Sequence, residues 1–132
     1  MVNTRRSLPR SELARLTQID YAREMAFIAE RLGPDGKPET IGTVRAISDP
    51  DNVEAEFAIV VRSNLKGRGL GRLLLQKLER YAVAQGLQRI TGVVLRENAA
   101  MLDLARHCGF VVDAEKPREP GVVALVCALP RS

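Results

Sequence analysis

Lys66-Gly67-Arg68-Gly69-Leu70-Gly71-Arg72 is the stretch whose reading decides the fold. Upstream lies Glu54-Ala55-Glu56-Phe57-Ala58-Ile59-Val60-Val61, which reads as a strand. Downstream, Leu70, Leu73, Leu74, Leu78, Tyr81 and Ala82 recur at intervals of three and four, the apolar face of a helix that runs to Ala84 and stops at Gly86. A strand that empties through three glycines into a helix start leaves several backbone N–H groups unpaired at one point. The helix dipole adds partial positive charge there. The segment is therefore a candidate seat for a phosphate.

Outward from this unit the chain divides into short elements. The spacing of Leu13 and Leu16 predicts a helix over Pro9 to Thr17, followed by a turn at Gln18-Ile19-Asp20. Residues Met25 to Leu32 and Thr40 to Ile47 flank the turn signal Gly33-Pro34-Asp35-Gly36 and predict a hairpin. Asp49-Pro50-Asp51-Asn52 is a second turn, leading into the strand at Glu54. Beyond the long helix, Ile90 to Leu95 is an aliphatic run of the kind found in strands covered on both faces. A second helix is expected from Asn98 to His107, ending at Gly109, and Phe110 to Val112 and Val122 to Leu129 close the chain as strands. The expected order is helix-β-β-β-helix-β-helix-β-β. Strand–helix–strand in the middle implies a parallel crossover, and the hairpins at either end are antiparallel. The architecture predicted is an α/β mixed sheet with helices on both faces.

Length and composition narrow the class. The 132 residues suit one domain, 1–132, with residues 1–8 expected to be flexible. At 45% hydrophobic and 27% charged, with no apolar run near the ~18 residues of a membrane span, the chain reads as soluble. No apolar stretch follows Arg5 and Arg6, so a secretory signal is not expected and a cytoplasmic setting is. Cys108 and Cys127 lack CxxC spacing or a histidine cluster; they read as reduced core thiols, and no metal is expected. A net charge of +4 favours anionic partners without distinguishing nucleic acid from a phosphorylated cofactor or an acidic protein surface.

The glycine loop excludes two common phosphate sites. A Walker loop ends in Gly-Lys-Ser/Thr, whereas this one ends in Gly71-Arg72-Leu73. A dinucleotide fingerprint needs G-x-G-x-x-G and an acidic residue closing the next strand, but here that strand ends in Val93-Val94-Leu95-Arg96. Lys66-x-x-Gly69-x-Gly71 instead resembles the Arg/Gln-x-x-Gly-x-Gly/Ala loop of the GNAT family of acyl-CoA-dependent N-acetyltransferases. Asn98, Leu104, Gly109 and Phe110 are similar to a second helical segment of that family. More narrowly, Leu16 to Phe27, Ala46 to Asn52 and Ala55-Glu56-Phe57-Ala58 leading into Arg62 to Gly67 resemble the C-terminal GNAT domain of bacterial protein lysine acetyltransferases of the Pat type. The resemblance covers nearly the whole chain from Leu13 onward. It implies a GNAT acyltransferase fold here without the family's first strand, and without the large acyl-CoA-synthetase-like region that precedes the Pat domain.

The resemblance also implies roles. Glu56 corresponds to the family's general base, with Glu54 a solvated neighbour. Val61, Arg62 and Ser63 would pair with the pantetheine arm of acetyl-CoA. The backbone amides of Lys66, Gly67, Arg68, Gly69, Leu70, Gly71 and Arg72 would hold its pyrophosphate, with Lys66, Arg68 and Arg72 adding charge. Asn98 would contact the cofactor, cap its helix, or both. Ala105 stands where many relatives carry a tyrosine that protonates the departing thiolate. His107 sits at a helix C-terminus, where a cation is favourable without being catalytic. The partners implied are acetyl-CoA and a protein lysine, an acyl-CoA synthetase being a candidate protein. Small amines remain open as acceptors, and an exposed sheet edge would be compatible with a dimer. Two other readings stand beside this one. A CoA-binding sensor without catalysis would explain the absent tyrosine. A nucleic-acid module would use Lys66, Arg68, Arg72, Lys77 and Arg80, but aromatics are only 4% and no stacking platform is evident.

Overall fold

The computed structural model describes residues 13, 15–62 and 69–130. Its elements are β1 (Arg15–Asp20), β2 (Glu24–Leu32), β3 (Pro38–Ser48), β4 (Glu54–Val61), α1 (Leu70–Ala84), β5 (Arg89–Leu95), α2 (Ala99–His107), β6 (Val111–Val112) and β7 (Val122–Ala128). The strands form one seven-stranded sheet in the order β1-β2-β3-β4-β5-β7-β6. β1 to β4 are antiparallel neighbours, β4 and β5 are parallel across the α1 crossover, and β7 pairs antiparallel with both β5 and β6. The mixed sheet, the hairpins and the crossover agree with the sequence reading.

The N-terminal part does not. Residues expected to finish a helix and form a turn are β1, an edge strand paired with β2 from Arg15↔Glu30 to Asp20↔Met25. Leu16 faces inward beside Ala29 and packs against the core. Two leucines three residues apart fit a helix, but Leu16 is also the inward residue of an alternating strand, and the available edge of β2 decides between them. Four strands, not three, therefore precede α1, and the expected gap at the start of the sheet is filled by β1. The flexibility expected of residues 1–8 falls outside the described residues.

Side chains alternate between the two faces of a sheet, and here the faces have different fates. Phe27, Val44, Phe57, Ile90 and Leu125 lie on one face and are buried. α1 covers them with Leu70, Leu74, Leu75 and Leu78, each at most 1% exposed. Two glycines make room on this face, one for α1 and one for a neighbouring strand's ring. A Cβ on Gly42 would stand 3.0 Å from Leu70 and 3.1 Å from Leu74, and one on Gly92 would stand 2.2 Å from the Phe57 ring. α2 packs on the same side. Its Leu104 abuts Gly71 of α1, and Phe110, just after α2, places its ring 5.2 Å from that of Phe57.

The opposite face carries no helix among the described residues. Ile47, Val60, Val93, Leu95 and Val111 lie on it, each more than half exposed. This corrects two expectations: the helices do not lie on both faces, and β5 is not covered on both sides. An aliphatic strand with one bare face has the same composition as a doubly covered one, so sequence could not separate them.

Candidate active site

The sheet opens at its centre. β4 and β5 pair only through Glu54↔Arg89, Ala55↔Ile90 and Glu56↔Thr91. Beyond that rung each strand keeps its outer partner: β4 stays on β3 as far as Gly42↔Val61, and β5 stays on β7 as far as Leu95↔Val122. The strands therefore part as two supported walls rather than fraying. Arg62 N–H donates to Ile41 O at 2.9 Å, so that rung is hydrogen-bonded to β3. Such rungs alternate in an antiparallel pair, which directs the backbone N–H and C=O of Ile59 and Val61 away from β3 and into the opening. Among the described residues these amide groups have no partner, and they line that wall.

The start of α1 stands at the wide end. Gly69 is its N-cap, with φ 86°, a left-handed conformation that glycine adopts without strain. No side chain caps this end and no acidic residue lies in the first turn, which leaves first-turn N–H groups without a side-chain acceptor. Leu70 is buried, so it has only its backbone to offer, whereas Arg72 is exposed. Gly71 has a further constraint: a Cβ there would stand 2.8 Å from Leu104. A side chain there would displace the tip of Leu104, so the glycine eases the approach of α1 to α2, besides any need to bring backbone near a ligand. Ser63, Lys66, Gly67 and Arg68 lie outside the described residues.

At the narrow end, Glu56 points from the last paired rung onto the bare face and is exposed. The other sheet glutamates are paired with arginines. Glu24 contacts Arg45 and Glu30 contacts Arg15. Glu39 bonds Arg31 at 2.7 Å and Arg62 at 2.8 Å, and these hydrogen bonds hold its carboxyl below the ordinary range. Glu54, the residue read as a solvated neighbour, bonds Arg89 at 2.8 Å. Glu56 has no such pair among the described residues. The site thus combines a free carboxylate at the vertex, a wall of open amides and an uncapped helix start.

The remaining predicted residues sit around this frame. The Arg62 side chain is engaged with Glu39, and its N–H with β3. Asn98 is the N-cap of α2, its side-chain oxygen accepting from Met101 N–H at 3.1 Å, so its capping role is realised. Ala105, the position where the resemblance leads one to expect a tyrosine, is fully buried. The exposed His107 has Nδ1 2.7 Å from the Asp103 carbonyl one turn earlier. Burial pushes the thiols of Cys108 and Cys127 up to about 11 and about 12, and Cys127 lies 3.5 Å from a Glu79 carboxylate oxygen. Both cysteines are free, and no metal-binding cluster is found among the described residues. One residue escaped the sequence reading. Thr91, which shares the vertex rung with Glu56, is the single buried polar residue among those described. Inside the run Ile90 to Leu95 it reads only as a strand former, and the register across β4 and β5 is needed to bring it beside Glu56.

Residues 3–110 match the sequence profile of the acetyltransferase (GNAT) family. The chain belongs to the GNAT acetyltransferase family. Among solved structures, this GNAT chain is similar to the GNAT domain of S. lividans PAT, with a TM-score of 0.69 and 28% identity, covering 86% of this chain and 65% of that one. It is also similar to a cAMP-binding acyltransferase from Mycobacterium smegmatis, with a TM-score of 0.66 and 28% identity, covering 85% of this chain and 33% of that one. Among curated proteins, L-methionine sulfoximine/L-methionine sulfone acetyltransferases of Pseudomonas paraeruginosa and Pseudomonas aeruginosa are 38% identical over 63 residues, or 48% of this chain. The chain spans 37% of the length of those two relatives.

Proposed function

We propose that this GNAT chain transfers the acetyl group of acetyl-CoA to an amine with Glu56 as general base, and that the amine is a protein lysine. The observation that carries the reading is the parted β4–β5 pair with, at its vertex, a carboxylate that has no ion pair among the described residues. The residues fit acetyl-CoA. The open amides of Ile59 and Val61 suit the amide-bearing pantetheine arm, and the uncapped N-terminus of α1 with exposed Arg72 suits the pyrophosphate. The rest of the glycine loop, Lys66, Gly67 and Arg68, and Ser63 before it, belong to the same proposed seat. Asn98 uses its side-chain oxygen for the cap and keeps its NH2 for the cofactor.

Acetyl-CoA supplies the acyl group as an activated thioester. A lysine amine has an unperturbed pKa near ~10.4, so its proton must be removed for attack. Glu56 takes that proton as the N–C bond forms and the C–S bond breaks, the sulfur leaving with the bonding electron pair. A thiolate with a pKa near ~8.5 tolerates departure without a dedicated acid, and water then protonates it; buried Ala105 is consistent with that arrangement.

Likeness to the S. lividans PAT domain over most of the chain supports a protein acceptor, with an acyl-CoA synthetase as first candidate. Higher identity over a shorter stretch to the methionine sulfoximine and sulfone acetyltransferases supports a small amine as the second reading. No described helix is long and apolar enough to cross a membrane; a cytoplasmic setting belongs to the proposal. The test is mass spectrometry of candidate proteins, alongside L-methionine sulfone and L-methionine sulfoximine, after incubation with acetyl-CoA. Glu56→Gln is expected to bind acetyl-CoA normally and to lower turnover by roughly 10²–10⁴. Turnover equal to wild type would remove Glu56 from the mechanism.

A further inference from the structure

We propose that the Thr91 hydroxyl donates a hydrogen bond to the thioester carbonyl of acetyl-CoA, making Thr91 a second catalytic residue; this rests on the acetyl-CoA reading above. Thr91 is 9% exposed, and its hydroxyl has no hydrogen-bond partner among the described residues. Burying a hydroxyl without a partner is unfavourable. The site does not need one for folding: neighbouring Ile90, Val93 and Val94 are all aliphatic and β-branched, and valine has the same shape without the penalty.

Position supplies the use for it. Thr91 and Glu56 are partners on the last rung before β4 and β5 separate, and partners on one rung project from the same face. A long ligand seated at α1 and laid along the open amides of Val61 and Ile59 runs toward that rung, so its reactive tip arrives between the two side chains. Attack by an amine builds negative charge on the carbonyl oxygen, and a donor fixed there in advance lowers the barrier. Thr91 can donate and an ionised Glu56 cannot, so the pair divides the work: Glu56 takes the amine proton and Thr91 holds the oxygen.

Titration calorimetry with acetyl-CoA and with CoA, joined to infrared spectra of carbonyl-¹³C acetyl-CoA, tests this without an acceptor. Wild type and Thr91→Ser should bind acetyl-CoA with the carbonyl band displaced to lower frequency. Thr91→Val should lose about five-fold in acetyl-CoA affinity, the scale of one neutral hydrogen bond, keep its affinity for CoA, and show no displaced band. Glu56→Gln should keep the band. Equal losses for both ligands in Thr91→Val, or an unmoved band, would overturn the Thr91 role and leave the Glu56 reading intact. Failure of wild type to bind either ligand would overturn both. Thr91→Ala provides the same readings if valine prevents folding.

Discussion

Ala55, Glu56 and Phe57 are consecutive in β4, yet they belong to different environments. Ala55 and Phe57 are buried under α1 and α2, while Glu56 stands on a face with no helix over it. The contrast holds across the sheet. On one side Leu70, Leu74, Leu75 and Leu78 seal a core that runs from Phe27 to Leu125; on the other, Ile47, Val60, Val93 and Leu95 are aliphatic but exposed. The covered face supplies cohesion, and the bare face supplies access. Because side chains alternate, one strand serves both: the residues that anchor β4 also fix where Glu56 points.

The largest effect that would sharpen this contrast is expected at Leu74, which is fully buried where α1 crosses β3. Leu74→Ala removes packing that cannot fully collapse, and should cost about 2–5 kcal/mol in chemical denaturation. A loss no greater than that of a surface substitution would mean that α1 does not seal this face.

Glu79 gives a smaller, pH-dependent effect. It lies on α1 beside Cys127, and burial pushes its carboxyl above the ordinary value, while the Cys127 contact pulls weakly the other way. The folded chain therefore keeps this proton to higher pH than the unfolded chain does. Its contribution to stability is fully present below the unfolded value and is lost as pH rises through the folded one. Glu79→Gln should flatten that loss, so the variant gains on wild type as pH rises from about 4 toward 7, the carboxylate range. Denaturation at several pH values reads it, and a pH-independent difference would place Glu79 in solvent.

How much of this was legible in sequence follows from the range of each signal. The α1 helix and β4 are encoded within a few residues, by leucines at three- and four-residue spacing and by an alternating run. Motif resemblance singles out the glycine loop and Glu56, whose roles belong to the proposed function. β1 could not be found, because a six-residue edge segment has too little periodicity to exclude a helix, and pairing with β2 decides it. Nor could the bare face, since Val93 and Leu95 look alike in a covered and an uncovered strand. Thr91 needed the β4–β5 register, a contact between residues 35 apart, before its place beside Glu56 meant anything. The same holds for Glu54, read as solvated and found paired with Arg89.

The smallest expected effect is the sharpest check on the bare face. Val60 lies on it four residues beyond Glu56 along β4 and is 67% exposed. Val60→Thr keeps the shape and the strand preference while exchanging a methyl for a hydroxyl, so the unfolding free energy should change by less than about 0.5 kcal/mol. A cost of 1 kcal/mol or more would mean that apolar atoms cover Val60 in solution. Dependence of that cost on protein concentration would then identify a second copy of this chain as the cover. Such a dimer would also shade Glu56 from an incoming amine, so turnover per chain should fall as concentration rises. A small, concentration-independent change together with constant specific activity leaves the face open, as the proposed role of Glu56 requires.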